Sequence, residues 1–390
     1  MAVAAEDFNE SSFAVKRFLI LAVSILSLTC RQALADGIVL RTSVLSTGAA
    51  LPSAARNVFM EYTTVASDGS TVPVTGTLAI PRGEPPTGGW PIIAWAHGTT
   101  GNAPQCAPSS FAKPDGEQRM LDAWVAAGYA VVQTDYEGEG TLGIHPYFVA
   151  QAAMRDVTDS VRAARTIDPQ IGTRWIAMGH SEGGAAALST AAYAAKWAPE
   201  LTLLGAISYA PGSHLSGILL NTLPYSDPIN YFLFIPMMIE GMATEDPHLH
   251  LSDLFSAKGM AMLPDLQREC NWTLVKKPQW SQISPPTFFK KNADFSRLLH
   301  DYRNNEPTRL HISVPVLLLQ GTADTVVSPA MTTDLDLGLC LRGGHIEYET
   351  VAGADHFTLL RKTLPRALSW AARRFSGKPA KENCPTSASL

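Results

Sequence analysis

The arrangement of apolar and polar residues changes its period near residue 90. Before that point, residues 57–66 and 71–80 alternate apolar and polar side chains, which is typical of strands with one buried face. Turn-forming residues occupy 67–70 between them, so we predict an antiparallel hairpin. After residue 90, short apolar runs alternate with stretches whose apolar residues recur at helical spacing.

The later pattern predicts a sheet of a different kind. Apolar runs lie at 92–96, 129–135, 174–178, 203–209, 314–320 and 346–351, and helical spacing is found at 117–127, 150–164, from 185 onward and at about 357–375. Near-continuous apolar strands that alternate with helices indicate a mostly parallel central sheet with helices on both faces.

One long interval interrupts this alternation between two predicted strands. Residues 211–308 are far more than the dozen or so that a crossover between parallel strands needs. We therefore predict that residues 36–210 and 309–390 form the core and that residues 211–308 form a large inserted helical cap. A second subdomain with a purely structural role is the alternative interpretation.

Composition narrows the class of partner. The chain has 390 residues, 46% of them hydrophobic, with 17% charged residues and a net charge of −5. The absence of a basic run argues against nucleic acid, and a small apolar molecule fits better than a polar partner.

The first 35 residues have the features of an export signal. Lys16 and Arg17 precede an apolar run at 18–28, and Ala33 and Ala35 provide small residues for cleavage. The run is too short to cross a bilayer, which takes about 20 residues. We predict that residues 1–35 are a signal peptide and that the mature protein is secreted or periplasmic.

Four cysteines follow the predicted cleavage site. They are Cys106, Cys270, Cys340 and Cys384. An even number in an exported chain predicts two disulfides, although three pairings are open.

The pentapeptide Gly179-His180-Ser181-Glu182-Gly183 is the strongest chemical motif. It follows an apolar strand and precedes an alanine-rich helix, which is the context of the nucleophile elbow of an α/β hydrolase. The tight turn crowds its backbone, so glycine is required on both sides of Ser181. We predict the α/β-hydrolase fold with Ser181 as the nucleophile.

A serine nucleophile needs a base and a third group that orients the base. In this fold the order along the chain is serine, acid, histidine. Asp324 follows the apolar strand at 314–320, and His356 follows the last strand. We predict Asp324 as the acid and His356 as the base. Asp355 is the alternative acid, but it adjoins His356 and can hardly reach its ring.

The oxyanion formed during acyl transfer needs backbone N–H donors. One is predicted to be the N–H of Glu182, which follows the nucleophile. The second is predicted in the loop 97–101 and belongs to Thr99 or Thr100, between which the sequence does not decide.

Substrate contacts are predicted in two places. The apolar run at 231–242 is rich in aromatic residues and methionine, so we predict that Phe234, Met237 or Met238 lines an acyl pocket. Packing against the core is the alternative. Tyr136, which follows a strand, is either a site residue or part of a turn.

Two further motifs carry less weight. His248 and His250 have no third ligand nearby, so we expect neither a metal nor a cofactor. Asn271, Trp272 and Thr273 form a sequon for N-glycosylation.

With these residues placed, the chain resembles the secretory lipase family over about residues 55–385. The similarity comprises the loop 97–101, the stretches 106–109 and 135–138, the elbow, the regions of Asp324 and His356, and the terminal cysteine. It implies carboxylic-ester hydrolysis, a helical cap and an acyl-binding tunnel. It also implies the disulfides Cys106–Cys270 and Cys340–Cys384.

These features together predict a secreted serine esterase or lipase that acts through an acyl-enzyme. The expected partner is a small-molecule or lipid-like ester, with contact between the cap and a lipid interface. A serine peptidase of the prolyl type and a catalytically silent binding protein with the same fold are the alternatives.

Overall fold

The computed structural model of the chain describes residues 36–229 and 232–384. The predicted signal peptide, residues 1–35, lies outside this range. Within it, nine strands form a single sheet in the order β1-β2-β3-β5-β4-β6-β7-β8-β9. The strands are β1 (Val39–Val44), β2 (Arg56–Val65), β3 (Thr71–Ile80), β4 (Trp90–Ala96), β5 (Ala130–Thr134), β6 (Ile171–His180), β7 (Thr202–Tyr209), β8 (Val316–Gly321) and β9 (Ile346–Val351).

The sheet has an antiparallel and a parallel part. Strands β2 and β3 pair in register from Arg56 opposite Ile80 to Val65 opposite Thr71, which is the predicted hairpin. Strand β3 also pairs antiparallel with β5, whereas every neighbouring pair from β5 to β9 is parallel. The mostly parallel sheet confirms the predicted fold class.

Thirteen α-helices are present in the described residues. They are α1 (Asp115–Ala126), α2 (Ala150–Ile167), α3 (Glu182–Trp197), α4 (Leu215–Thr222), α5 (Phe234–Glu245), α6 (Leu251–Leu254), α7 (Ala257–Leu266), α8 (Asn271–Leu274), α9 (Pro278–Ser281), α10 (Pro285–Phe288), α11 (Ser296–Asn304), α12 (Pro329–Cys340) and α13 (Thr358–Phe375). Short 3₁₀ turns cover Pro104–Cys106, Pro108–Ser110 and Pro307–Arg309. None of the described helices combines the length and apolar character needed to cross a membrane.

Two apolar cores lie on opposite faces of the sheet, because successive side chains of a strand point to opposite sides. Along β4, Ile92 and Ala94 join the core beneath α2 and α3, whereas Ile93 and Trp95 join the core beneath α1 and α13. Helices therefore cover both faces, and their packing holds the carboxyl ends of the parallel strands at one edge of the sheet.

The interval between β7 and β8 is helical and contains α4 to α11. Its helices share a third core that includes Met237, Phe255 and Phe288. This core also takes in Tyr147 and Val149, which precede α2. The interval is thus packed onto the segment that leads into α2.

Two disulfides link distant parts of the chain, with the pairings that the family resemblance implies. Cys106–Cys270 joins the region after β4 to the start of α8 across 164 residues. Cys340–Cys384 joins the end of α12 to the C-terminal segment across 44 residues. The second disulfide lies near Gly344, at the amino end of β9.

We predict that the two disulfides have different effects on activity. Replacing Cys340 and Cys384 by alanine should lower the free energy of unfolding by about 2–4 kcal/mol, since a 44-residue loop is no longer closed in the unfolded chain. Loss of this second disulfide should change kcat little, because it lies at the amino end of β9, whereas His356 follows the carboxyl end of that strand. Replacing Cys106 and Cys270 should lower both stability and kcat. Urea titration and ester hydrolysis measure the two quantities, and equal losses of kcat in both double variants would contradict this assignment.

Candidate active site

The backbone at Ser181 has an unusual conformation. Its φ is 59° and its ψ is −117°, between the end of β6 and the start of α3. A Cβ atom at Gly179 would lie 2.0 Å from the carbonyl oxygen of Gly183, and one at Gly183 would lie 1.9 Å from that of Ala96. Glycine is therefore required at both positions, and the sharp turn projects Ser181 from the carboxyl edge of the sheet.

Asp324 and His356 meet at the same edge. His356 Nδ1 lies 2.7 Å from Asp324 Oδ2, and both side chains are almost fully buried. The other oxygen of Asp324 accepts hydrogen bonds from the backbone N–H groups of Val326 and Val327, at 2.8 and 2.9 Å. Burial raises the pKa of Asp324, but the hydrogen bond and charge of His356 and these two amides outweigh it, so the pKa lies below its usual value. Asp324 is thus held as a carboxylate that faces the imidazole.

Asp355 has a different structural role. Its Oδ1 accepts hydrogen bonds from the backbone N–H of Phe357, at 3.1 Å, and from that of Thr358, at 2.8 Å. These contacts cap the start of α13, a position that favours aspartate. The side chain is exposed and is directed at its own helix terminus.

His180 is a site residue that the sequence analysis did not identify. Its Nε2 lies 2.9 Å from the carbonyl oxygen of His356, and the two rings are 4.4 Å apart. A carbonyl only accepts, so Nε2 carries the proton. Burial and the neighbouring His356 lower the pKa of His180 to about 3, which keeps the ring neutral. Because His180 adjoins Ser181 in sequence, this contact brings the elbow and the loop of His356 together.

The predicted oxyanion donors lie on either side of the elbow. Glu182 is the first residue of α3, so its N–H has no acceptor within the helix. The loop after β4 approaches the elbow at Gly98, where an added Cβ would lie 3.5 Å from Ser181 Cβ. Side chains anchor the next two residues: Thr99 Oγ1 lies 2.7 Å from the hydroxyl of Tyr147, and Thr100 Oγ1 donates to Glu139 at 2.8 Å.

A buried layer of acids and imidazoles lies beside these donors. His145 Nδ1 donates to the carbonyl of Glu137 at 3.0 Å, while its Nε2 lies 2.7 Å from Glu182 Oε1. The contact between His145 and Glu182 is buried and joins the residue after Ser181 to the segment that precedes α2. Burial and the charge of Glu182 raise the pKa of Glu139 well above its usual value. The layer therefore connects Glu139 to Thr100 and Glu182 to His145, beside the two predicted donor regions.

The predicted substrate residues are largely covered in this conformation. Tyr136 is fully buried, and its hydroxyl donates to the carbonyl of His97 at 3.0 Å. Met237 and Met238 are buried in the core of the helical interval, and Phe234 is half-buried. Tyr136 thus contacts the loop after β4, and the assignment of all four residues to substrate contacts stays a prediction.

The described residues contain no group of three potential ligands that would suit a metal ion. His248 and His250 are both exposed.

A carboxyl group of α5 also reaches the loop after β4. Glu240 Oε2 accepts hydrogen bonds from Asn102 Nδ2 at 3.2 Å and from Gln267 Nε2 at 2.9 Å. Burial raises the pKa of Glu240 to about 7, although both hydrogen bonds act in the opposite direction. Its side chain joins two helices of the interval to the residue that follows Gly101.

The family model described as "Secretory lipase" matches residues 112–383. The chain belongs to the secretory lipase family. Its fold, two disulfides and family membership agree with an exported protein.

Curated relatives are distant in sequence. Lipase 6 of Candida albicans is 26% identical over 278 residues, and the alignment covers 66% of this chain and 58% of that protein. Lipase 10 of the same yeast is 28% identical, with coverage of 66% and 57%. The chain thus spans less than two thirds of the length of these two lipases. A Mycobacterium tuberculosis protein named as a probable inactive lipase is 23% identical, with coverage of 82% and 73%.

Solved structures share the fold. Lipase A of Candida antarctica superposes with a TM-score of 0.76 at 17% identity, covering 91% of this chain and 85% of that protein. The rice cell wall degrading esterase LipA of Xanthomonas oryzae superposes with a TM-score of 0.70 at 18% identity, covering 88% and 100%. Both comparisons support the α/β-hydrolase fold.

We predict that Glu240 makes stability depend on pH. The folded state retains a proton up to about pH 7 that the unfolded chain releases near pH 4.5, so stability falls as pH rises between these values. Glu240→Gln should remove up to about 3 kcal/mol of this fall in the free energy of unfolding. The measurement is urea unfolding at pH 4.5 and pH 8, with exposed Glu84→Gln as the control. If the free energy of unfolding of Glu240→Gln differed between pH 4.5 and pH 8 by as much as that of the wild-type protein, the effect would be disproved.

Proposed function

We propose that this chain is a secreted or periplasmic serine carboxylic-ester hydrolase that acts through an acyl-enzyme. The observation that carries the proposal is the 2.7 Å contact between His356 and Asp324, beside an elbow that presents Ser181. Membership of the secretory lipase family supports ester chemistry.

The mechanism assigns one role to each residue. His356 removes the proton from Ser181 Oγ as that oxygen attacks the ester carbonyl, while Asp324 accepts a hydrogen bond from Nδ1 and stabilises the imidazolium. The tetrahedral intermediate then collapses, and His356 gives its proton to the departing alcohol. Water attacks the remaining acyl-enzyme with His356 again as the base, and the acid is released from Ser181.

Stabilisation of the oxyanion is assigned to backbone groups. The N–H of Glu182 and the N–H of either Thr99 or Thr100 are the proposed donors. The contact between His145 and Glu182 supports this role, because it holds the side chain of the residue whose backbone N–H is the proposed donor. No cofactor or metal enters the proposed reaction.

We further propose that residues 211–308 act as a cap over the site and contact a lipid-like substrate. Phe234, Met237 and Met238 are assigned to the acyl pocket, although the two methionines are buried in the described conformation. Acyl binding at α5 then requires that helix to shift. Rates with p-nitrophenyl esters of increasing chain length, beside an emulsified triglyceride, would identify the preferred ester.

Ser181→Ala should abolish ester hydrolysis and leave the free energy of unfolding nearly unchanged, since the smaller side chain keeps the elbow backbone. A fluorophosphonate should label Ser181 in the wild-type protein, and peptide mass spectrometry locates the label. An inactive wild-type protein that the probe does not label would favour the catalytically silent alternative. Hydrolysis of prolyl peptides but not esters would favour the peptidase.

Asp324→Asn should lower kcat by roughly 10³–10⁴-fold, because the amide no longer holds the imidazole in the required tautomer. His356→Ala should cause a loss of similar order. Asp355→Asn is the matched control: asparagine caps a helix about as well as aspartate, so kcat should change less than threefold. Steady-state kinetics on one ester decide the question, and a larger loss in Asp355→Asn than in Asp324→Asn would make Asp355 the acid.

A further inference from the structure

Asn271 makes two hydrogen bonds to the loop after β4. Its side-chain Nδ2 donates to the carbonyl of Thr99 at 2.6 Å, and its backbone N–H donates to the carbonyl of Thr100 at 2.9 Å. Asn271 is the first residue of α8 and follows Cys270, which is bonded to Cys106. One short helix of the interval 211–308 thus contacts two successive peptide groups of the loop that carries the proposed oxyanion donor.

These contacts determine where the loop N–H groups point. The described peptide bonds are trans, and in a planar trans peptide the C=O and N–H point in opposite directions. The hydrogen bond from Asn271 Nδ2 directs the Thr99 carbonyl towards α8. It therefore directs the N–H of Thr100, which belongs to the same peptide group, away from α8.

The other anchors of this loop hold different groups. The two threonine hydroxyls contact Tyr147 and Glu139, and the carbonyl of Gly98 accepts a hydrogen bond from His97 Nδ1 at 2.8 Å. The two hydroxyls form their contacts through the side chains and make no described hydrogen bond to the Thr99–Thr100 peptide group. The described side-chain hydrogen bond to the carbonyl of this peptide group comes from the amide of Asn271.

We infer that Asn271 is a positioning residue for the oxyanion hole, acting through the Thr99–Thr100 peptide. The inference rests on the proposed esterase function and assigns a defined task to the interval 211–308 within it. It also selects the Thr100 N–H as the second oxyanion donor. Removing the amide of Asn271 frees that peptide, so stabilisation of the transition state falls more than binding of the ester.

The same atom is the acceptor of the sequon formed by Asn271, Trp272 and Thr273. A glycan on Nδ2 would occupy the contact between α8 and the Thr99 carbonyl. The folded, active enzyme should therefore carry no glycan on Asn271, even after expression through the secretory pathway of yeast.

Asn271→Ala should lower kcat by about 10–100-fold for p-nitrophenyl butyrate, within the range for a lost or misplaced oxyanion donor, and KM should change less than threefold. The adduct of n-butylboronic acid places an oxygen in the oxyanion hole, so the inhibition constant of this compound should rise by a similar factor. Asn271→Asp has the same shape, but its carboxylate repels the Thr99 carbonyl. Its activity relative to wild type should be lowest at neutral pH and should rise as the pH falls and the carboxyl regains a donor proton.

Thr273→Val is the matched control, because it removes the sequon and leaves the amide of Asn271 in place. It should keep the kcat and the boronate inhibition constant of the wild-type protein, and its mass should differ from wild type only by the substitution itself.

Several results would overturn the inference. They are a kcat within twofold of wild type in Asn271→Ala, a lower kcat with unchanged boronate inhibition, or a glycan on Asn271 of the active enzyme. If Asn271→Ala does not fold, the isosteric Asn271→Asp provides the test. A ratio of its activity to that of the wild-type protein that stays constant across pH overturns the inference. A wild-type protein without esterase activity would overturn the proposed function as well, whereas an active wild type with unaffected Asn271 variants overturns this inference alone.

Discussion

The strained backbone at Ser181 is the constraint on which the rest of the site depends. A positive φ in a residue other than glycine is costly and persists only where the surroundings over-determine it. Here β4, β6 and the start of α3 approach so closely that the carbonyl of Ala96 lies within 2 Å of where a Cβ of Gly183 would be. The packing that enforces the turn also brings the loop after β4 against the elbow. Strain at the serine and the placement of the loop after β4 thus have one structural origin.

Desolvation explains why most polar groups near this turn have hydrogen-bond partners, although Glu139 Oε1 and Glu182 Oε2 have none. A buried polar group without a partner costs free energy, and a buried charge costs more. His180 meets this requirement as a neutral ring that donates to the His356 carbonyl, and Glu139 meets it by accepting a hydrogen bond from Thr100. His145 and Glu182 meet it through their mutual contact. The hydrogen-bond pattern leaves few alternative arrangements, which favours a rigid, preorganised site.

Local sequence patterns predicted much of the fold because strands and helices impose periods on their own residues. The alternation at 57–66 and 71–80 corresponds to the β2–β3 hairpin, and the apolar run before Ser181 corresponds to β6. Helix α3 begins at Glu182 rather than near Ala185, because the elbow turns directly into the helix. The contacts around the elbow had no such signal. His145 and Glu182 are 37 residues apart, Asn271 and Thr99 are 172 apart, and neither pair belongs to a repeating pattern.

The disulfide and the hydrogen bonds between α8 and the loop after β4 also limit whether the interval 211–308 can be replaced by the corresponding segment of a relative. Cys270 and Asn271 are adjacent on one side, and Cys106 lies six residues beyond Thr100 on the other. A helical interval transplanted from a distant relative would have to supply the cysteine and the amide at the same spacing, or the recipient loop would lose its shape. The interval and the loop are therefore one module for recombination, although more than 160 residues separate them in the chain.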